Sequence, residues 1–445
     1  MSAHIHDHQP HAKDKDQSGS HVEIDIVNGQ SSNMKVYGIS ELTNITEEEN
    51  KHAKRKIDRI MLPLMGLCYV FSFLDKTLLN YASIFGIKEA LKLEGTDYSW
   101  LGSIFYIGYM FGSMMWSKIV HRWPQHVGKF VSGAVCIWSI IVLLTLHGSI
   151  ATWKIFFISF GSLSFAFSLV LMYFMPDHQA NARWLSERER KVAIERVREN
   201  QTVTSNNQWK WDQFWEALRD PQTVFFFATA MGNTMPSTFA SQFSSQIVKG
   251  FGFSTIATTM ISTCPAAAIQ LGSFLFFSWL ASRRKNIRLL LSIVVSVPPL
   301  IGASLLHALP NSNRAGRLAG YYLTYTHSMS FTLNAGLMAS NYAGNTKKST
   351  ASAIVFAGWA AGLIAGPQFF LESEAPIYNM AFKMLMVCYA LMIVVPICQI
   401  SWYRRENSRR QKWAEQQNFS VLPGARPDFT DKTDFEQSET FRYAM

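Results

Sequence analysis

The chain has 445 residues, of which 48% are hydrophobic and 16% are charged, and its formal net charge at pH 7 is +10. Soluble globular chains average about 25% charged residues. Here residues 1–59 carry 18 Asp, Glu, Lys or Arg residues, whereas residues 61–175 carry only 11. Because apolar runs of about 20 residues match the hydrocarbon thickness of a bilayer, these figures exclude an ordinary soluble protein and predict an all-α integral membrane protein.

Ten apolar stretches predict ten membrane-spanning helices, in groups of four and six. In chain order they are approximately 61–85, 98–117, 130–148, 153–175, 223–247, 256–279, 288–308, 318–338, 351–371 and 381–402. The corresponding domains are a disordered tail over 1–59, a four-helix bundle over 60–175, a central loop over 176–222, a six-helix bundle over 223–402 and a tail over 403–445. Aromatic residues near the end of the central loop predict an interfacial helix that lies on the membrane surface.

Basic residues flank the predicted spans on alternate sides of the membrane. They cluster within residues 51–59, 183–191, 283–288 and 404–412, and the alternate loops hold fewer. Because short cytosolic loops are enriched in Lys and Arg, both termini are predicted to be cytosolic. These topology signals also account for the net charge, so no nucleic-acid partner is expected.

The first span contains two adjacent charged residues near its middle, Asp75 and Lys76, and Asn80 follows Lys76 by about one helical turn. A charged side chain at mid-bilayer costs about 3 kcal/mol on insertion scales, so such residues usually face a partner or a wet cavity. Neighbouring residues point about 100° apart around a helix. We therefore expect one charge to face a central cavity and the other an adjacent helix, with a structural ion pair as the alternative.

The fifth span is unusually polar around Pro236, and its side chains include Asn233 and Gln242. A proline inside a membrane helix opens the backbone hydrogen-bond ladder, which polar groups or water then satisfy. This pattern favours a cavity-lining, gating helix. Polar packing between helices is the alternative.

The eighth span carries Tyr325, His327 and Asn334. Histidine titrates near physiological pH, so His327 is a candidate proton carrier. A hydrogen-bonded packing histidine fits the sequence equally well.

The ninth span has three glycines at four-residue spacing, Gly358, Gly362 and Gly366, and Gln368 follows them. Small residues at this spacing allow two helices to approach closely. The pattern therefore predicts a helix contact and says almost nothing about a substrate.

The polar segments contain no Walker loop, nucleophile elbow or metalloprotease helix, so neither an enzyme activity nor a cofactor is expected. No metal site is predicted either. The five cysteines lack the spacing of a zinc site, and a solvated polar tail explains the four tail histidines better than metal binding does. These histidines are His4, His6, His8 and His11.

Several short strings occur in a fixed order between residues 60 and 402. They are Phe73-Leu74-Asp75-Lys76, Pro176-Asp177, Ala182-Arg183-Trp184-Leu185-Ser186-Glu187, Glu216-Ala217-Leu218, Asp220-Pro221, Lys249-Gly250-Phe251-Gly252-Phe253-Ser254, Asn341 through Lys348, Gly366-Pro367-Gln368 and Ala375-Pro376-Ile377-Tyr378. In this order they resemble the fungal allantoate permease-like family, anion:cation symporters of the major facilitator superfamily.

The resemblance implies a two-bundle transporter of the major facilitator type in the plasma membrane. Its partners would be a proton and a small organic anion such as allantoate, nicotinate or pantothenate. Alternating access would use Asp75 and His327 for the proton and Lys76 as the counter-charge of the anion. Hydrogen bonds to the substrate would come from Asn233, Gln242, Tyr325, Asn334 and Gln368.

The chain departs from this family in its first half. Members have twelve spans, six in each half, whereas this sequence predicts four and six. The family's fourth and fifth helices are expected to be missing between Gly148 and Trp153. The rival interpretation is therefore a truncated, non-transporting paralogue or a mis-spliced gene model with a regulatory role or none. The oligomeric state is left open by the sequence.

Overall fold

Helices make up nearly all the regular structure that the computed structural model describes. The described residues are 46–123, 126–144, 152–177, 181–193, 209–284, 286–416, 431–438 and 440–445, all within the compact unit Ile45–Met445. Most of the predicted tail over 1–59, with its four histidines, lies outside the described residues. So does the predicted junction at Gly148.

In the part of the first half that the structure describes, five helices precede the central loop, and residues 187–193 within that loop are also helical. The five are α1 (Glu47–Ile84), α2 (Ile87–Ala90), α3 (Asp97–Arg122), α4 (Val127–Leu143) and α5 (Thr152–Phe174).

The described residues of the second half form nine α-helices and several tighter or wider turns. The helices are α6 (Trp211–Arg219), α7 (Pro221–Thr238), α8 (Ser244–Gly250), α9 (Thr255–Arg283), α10 (Arg288–Ala308), α11 (Arg314–Leu323), α12 (Ser328–Asn341), α13 (Asn345–Ala365) and α14 (Asn379–Gln416). A π-helical segment, Phe239–Phe243, joins α7 to α8, and 3₁₀ turns cover Thr324–His327, Gly366–Phe369 and Glu372–Glu374.

Each of the ten predicted spans falls on a helical stretch, the third as far as residue 144. Among the described residues, six helical stretches are individually long and apolar enough to cross a membrane: Glu47–Ile84, Trp153–Phe174, Thr255–Arg283, Arg288–Ala308, Asn345–Phe369 and Asn379–Gln416. The fifth and eighth predicted spans are divided by the π segment and by a 3₁₀ turn. The polar residues that cause these interruptions also lower the local hydropathy.

The boundary of the predicted N-terminal tail is wrong, because α1 begins at Glu47 rather than near residue 60. A capping box starts the helix: the hydroxyl of Thr46 accepts from the backbone of Glu49, and the carboxylate of Glu49 accepts from the backbone of Thr46. An ion pair between Lys56 and Glu189, at 2.7 Å, then holds the first turns of α1 against the helical residues 187–193. Residues 47–59 are therefore helical and docked.

The C-terminal tail, predicted over 403–445, also contains ordered structure. Helix α14 continues to Gln416, well past the predicted end of the last span at residue 402. Further along, residues 431–438 and 440–445 pack against the second half of the chain.

The helices form two bundles. In the first, α5 packs against α1 and α4; in the second, α7 packs against α13 and α14, and α10 against α14. Helix α3 packs most closely against α13 of the second bundle. It reaches α4 of its own bundle through aromatic contacts, including Phe105 with Trp138.

The close approach of α13 to α7 depends on three spaced glycines, two within α13 and the third, Gly366, in the 3₁₀ turn that follows it. An added Cβ at Gly358 would lie 2.9 Å from the Phe227 carbonyl oxygen, and one at Gly366 would lie 2.8 Å from the Met235 carbonyl oxygen. At Gly362 it would collide with the hydroxyl of Thr234. All three glycines therefore lie at the contact between α7 and α13.

The two bundles have two ends, which we name for use below. The terminal face is the end where α1 begins and α14 finishes, and the loop face is the end where α1 finishes and α3 begins. Lys249, at the end of α8, donates to the carbonyl of Ile84 at the end of α1. Helices α1 and α7–α8 therefore run in the same direction and both finish at the loop face.

Candidate functional site

Asn80 joins the two bundles near the loop face. Its side chain is only 2% exposed. The amide nitrogen donates to the hydroxyl of Ser244 at 2.8 Å, and the amide oxygen accepts from the hydroxyl of Ser245 at 2.7 Å and from the Ser245 backbone at 3.3 Å. All the polar atoms of this side chain are thus used between the bundles.

A second set of contacts lies beside Asn80. The hydroxyl of Tyr98 donates to the carbonyl of Gln242 at 2.9 Å. Gln368 donates to Ser103 at 3.0 Å, and Ser103 donates to the carbonyl of Ile364 at 2.7 Å. In the described part of the chain, these side-chain hydrogen bonds between the bundles lie in the half nearer the loop face. The structure is therefore sealed at that face.

Aromatic rings complete the seal. Phe243 of the π segment stacks on Phe370 with centroids 4.1 Å apart and planes inclined by 8°. Tyr98 meets Phe243 edge-on at 5.4 Å. Stacked and edge-on rings pack densely and exclude water, so no aqueous route passes between these three side chains in this conformation.

Asp75 and Lys76 both line one cavity of about 290 Å³ inside the first bundle. One carboxylate oxygen of Asp75 accepts from the indole N–H of Trp138 on α4 at 2.7 Å, and the other is buried with no hydrogen-bond partner among the described residues. The expectation that one charge faces a cavity and the other a neighbouring helix is thus too simple. Asp75 contacts a neighbouring helix and also lines the cavity.

The ammonium of Lys76 lies over two aromatic rings of α3. It is 5.7 Å from the ring centroid of Phe105 and 5.5 Å from that of Tyr109. Neither Asp75 nor Lys76 takes part in the ion pairs found among the described residues. A cation held by ring faces rather than by a carboxylate keeps its charge available for an anion.

His327 is buried in the second bundle, 2% exposed, at the 3₁₀ turn that divides the eighth predicted span. Its Nδ1 lies 2.6 Å from the Thr324 carbonyl oxygen, and its Nε2 lies 3.3 Å from the hydroxyl of Ser237 on α7. Asn233, also on α7, donates to the His327 carbonyl at 3.0 Å. His327 and Asn233 therefore couple the two interrupted spans.

Hydroxyl side chains around Pro236 donate to backbone carbonyls of their own helix. Ser237 donates to the Asn233 carbonyl at 3.1 Å, Thr238 donates to the Met235 carbonyl at 2.7 Å, and Ser241 donates to the Ser237 carbonyl at 3.0 Å. The π segment begins directly after Thr238. Wider turns of this kind often mark functional sites in helices.

Two other predicted site residues are turned toward packing contacts in the second bundle. Asn334 donates to the hydroxyl of Ser292 at 3.0 Å and so joins α12 to α10. Tyr325 shares a hydrogen bond of 2.7 Å with Tyr321. The predicted set is thus divided between the contact of the two bundles, which holds Asn80, Gln242 and Gln368, the first-bundle cavity and the interior of the second bundle.

Two side chains outside the predicted set, Tyr389 and Gln246, also lie at these places. The hydroxyl of Tyr389 and the side-chain nitrogen of Gln246 are buried without a hydrogen-bond partner among the described residues, as is the side-chain oxygen of Gln242, which the sequence did predict. The ring of Tyr389 lies 5.7 Å from that of His327. Gln246 follows Gln242 by one turn, so the spacing could have indicated it, whereas Tyr389 stands in an apolar run without any such signal.

The described residues contain no cluster of three or more His, Cys, Asp or Glu side chains that could hold a metal ion.

A protein-family model described as Major Facilitator Superfamily matches residues 124–367. An uncharacterized transporter of Schizosaccharomyces pombe is 30% identical over 90% of this chain and 91% of its own length. The allantoate permease of Saccharomyces cerevisiae is 29% identical over 90% of this chain and 88% of its own. A thiamine pathway transporter of the same yeast is 26% identical over 96% of this chain and 91% of its own.

These alignments also extend over more positions than this chain contributes residues. The alignment with the Schizosaccharomyces pombe protein extends over 471 positions, whereas 90% of the 445 residues is about 400, so about 70 positions have no counterpart here. The alignment with the allantoate permease, over 479 positions, leaves a similar excess.

Proposed function

Since the chain belongs to the major facilitator superfamily and is an integral membrane transporter rather than an enzyme, we propose that it carries small organic anions with protons. The observation that supports this most directly is Lys76, a cation that lines a cavity and lies over the ring faces of Phe105 and Tyr109. A relative named an allantoate permease supports the same substrate class, because allantoate is a carboxylate. Nicotinate and pantothenate are carboxylates of comparable size.

In this proposal Lys76 attracts the anion and Asp75 binds the proton. The two side chains share one cavity, so a proton on Asp75 offsets the negative charge that the substrate brings in. A cavity in a low-dielectric membrane makes such neutralisation favourable before the carrier changes conformation. His327 is the second candidate for the proton, through its contact with Ser237.

The proposed topology has the terminal face in the cytosol and the loop face outside, in the plasma membrane. The clusters of Lys and Arg near the terminal face support it. With the loop face sealed by Asn80 and the aromatic stack, the structure corresponds to a conformation closed toward the outside. Rocking of one bundle against the other would open this seal in turn.

A substitution at Lys76 tests the proposal. Lys76→Gln removes the charge but keeps a long polar side chain, so it should abolish saturable uptake of labelled allantoate, nicotinate or pantothenate. The matched control is Lys118→Gln at the exposed end of α3, which should leave uptake unchanged. Equal uptake by the two variants, at equal surface expression, would assign Lys76 to structure.

A second candidate function is a truncated paralogue that transports poorly or not at all. It is favoured by the alignment positions that have no counterpart in this chain and by the prediction of four spans, rather than six, in the first bundle. Two further helices would supply walls to the cavity of Asp75 and Lys76. Without them, polar groups are left facing lipid or an open gap, where an unsatisfied group costs several kcal/mol.

The test of this second candidate compares the chain with a chimera that carries a relative's two additional helices after residue 148. We expect uptake from the chimera and little from the unmodified chain. Saturable uptake of the same magnitude from both would contradict the truncated interpretation. Sequencing the transcript between the codons for Gly148 and Trp153 is the simpler check for a missing exon.

A further inference from the structure

The end of the chain forms a docked element at the terminal face of the second bundle. We call residues 431–445 the C-terminal segment; all but residue 439 are described. Its side chains include fully buried Thr433 and Asp434. A solvated tail would leave such groups in water, so the segment has a specific binding place.

The centre of that place is Lys347, the third residue of α13, whose side chain is fully buried. Its ammonium lies 2.7 Å from a carboxylate oxygen of Asp434, 2.8 Å from one of Asp220 and 2.9 Å from one of Glu216. Burying ions is unfavourable unless they are paired and hydrogen-bonded. Lys347 therefore stabilises the buried carboxylate of Asp434. In return, the C-terminal segment supplies one of the three carboxylates that surround Lys347.

Arg410 on α14 provides a second buried cation, 3% exposed. Its guanidinium donates to the Tyr443 hydroxyl at 2.8 Å and to the Asp434 carbonyl at 2.8 Å. The Tyr443 hydroxyl in turn donates to the Asp434 carboxylate at 2.6 Å. Asp434, near the start of the segment, and Tyr443, near its end, thus belong to one hydrogen-bond network around Arg410.

Two asparagines bind the backbone of the last residues. The Asn407 side chain accepts from the Tyr443 N–H and donates to its carbonyl, both at 2.9 Å. The Asn341 side chain accepts from the Ala444 N–H at 2.8 Å and donates to its carbonyl at 2.9 Å. Reciprocal amide pairs of this kind satisfy backbone groups as a neighbouring strand would.

Asp431 fastens the other end of the segment. Its carboxylate lies 2.8 Å from the ammonium of Lys210 and accepts from the Asn345 backbone at 2.7 Å. Although burial opposes ionisation, these hydrogen bonds lower the pKa of Asp431 below its usual value. The carboxylate therefore stays charged at neutral pH.

These contacts come from helices that are far apart in the sequence. We propose that the C-terminal segment is an intramolecular clamp, which binds the ends of α6, α7, α12, α13 and α14 at the terminal face and holds them as one rigid body. The hydrogen bonds and ion pairs named above are with residues in the second half of the chain. The clamp does not depend on which substrate, if any, the chain carries.

Hydrogen–deuterium exchange on the purified full-length protein, read by mass spectrometry, tests the clamp. A synthetic peptide of residues 431–445 gives the rate for the free segment. We expect amides of residues 440–445 in the intact protein to exchange at least tenfold more slowly than in the peptide. Equal rates would overturn the proposal, since the segment would then be undocked.

Variants separate the clamp from a passive contact. Asp434→Asn and Asn407→Ala should each raise exchange of the segment at least tenfold and also raise exchange in α6. Lys348→Gln, an exposed lysine beside Lys347, is the matched control and should change neither. Asn407→Ala removes no buried charge, so it keeps the test decisive if Asp434→Asn fails to fold. A segment released without any change in α6 would refute the clamp.

Discussion

The seal at the loop face gives a quantitative prediction for Asn80→Ala. The substitution removes three side-chain hydrogen bonds between the bundles, one to Ser244 and two to Ser245. Each such bond contributes a net of about 0.5–1.5 kcal/mol. If the bonds exist only while the loop face is closed, the loss of all three shifts the conformational equilibrium by about 1.5–4.5 kcal/mol toward the open state. Since 1.4 kcal/mol is a tenfold change, the open population should rise at least about tenfold.

A cysteine at position 99 can report this opening. Ser99 is 3% exposed and lies between the bundles, where its hydroxyl faces the Phe370 carbonyl. In intact cells, Ser99→Cys should react slowly with an impermeant thiol reagent and much faster when combined with Asn80→Ala. The same labelling measurement on protein that lacks the new cysteine gives the contribution of the five native cysteines.

The matched control is Thr77→Ala, one turn before Asn80 on the same helix. Its hydroxyl donates only to the Leu74 carbonyl of its own helix, so its loss removes no contact between the bundles. Labelling rates that are the same in the Asn80→Ala and Thr77→Ala backgrounds would refute the role of Asn80 in the seal.

Two further predictions concern packing and topology. Gly362→Val places a branched side chain against Thr234 and the Met231 carbonyl, which lies 2.8 Å from an added Cβ; overpacking of this kind costs about 1–3 kcal/mol. Its apparent melting temperature should therefore fall, whereas Gly272→Val, where an added Cβ meets nothing within 4 Å, should melt as the parent does. For topology, Gly148→Cys should be labelled from outside intact cells by an impermeant thiol reagent, and labelling only after permeabilisation would contradict the proposed orientation.

Much of the helical content of the chain could be predicted from its sequence, because membrane insertion depends on local hydropathy. A run of about 20 apolar residues must satisfy its backbone hydrogen bonds internally, and a helix does so without any distant partner. The stretches around α9, α10 and α14 are of this kind. The family was also accessible from the sequence, since the strings that carry the resemblance are local too.

The sequence failed where a boundary depends on a docking partner. Residues 47–59 read as a polar tail, yet they extend α1 because Lys56 meets Glu189, 133 positions away. The C-terminal segment reads as another polar tail, and it docks because Lys347 and Arg410 are buried beneath it. A window of neighbouring residues contains no information about such partners.

The roles of the polar residues inside the bundles were decided by tertiary structure alone. The sequence indicated that Asn80, Asp75 and His327 are too polar to face lipid, but it could not say what each one meets. Asn80 meets Ser244 and Ser245, more than 160 positions away, and Asp75 meets Trp138. Hydropathy is a sum over adjacent residues and so is fixed by the sequence locally, whereas a hydrogen-bond partner is fixed only when helices distant in the chain come together.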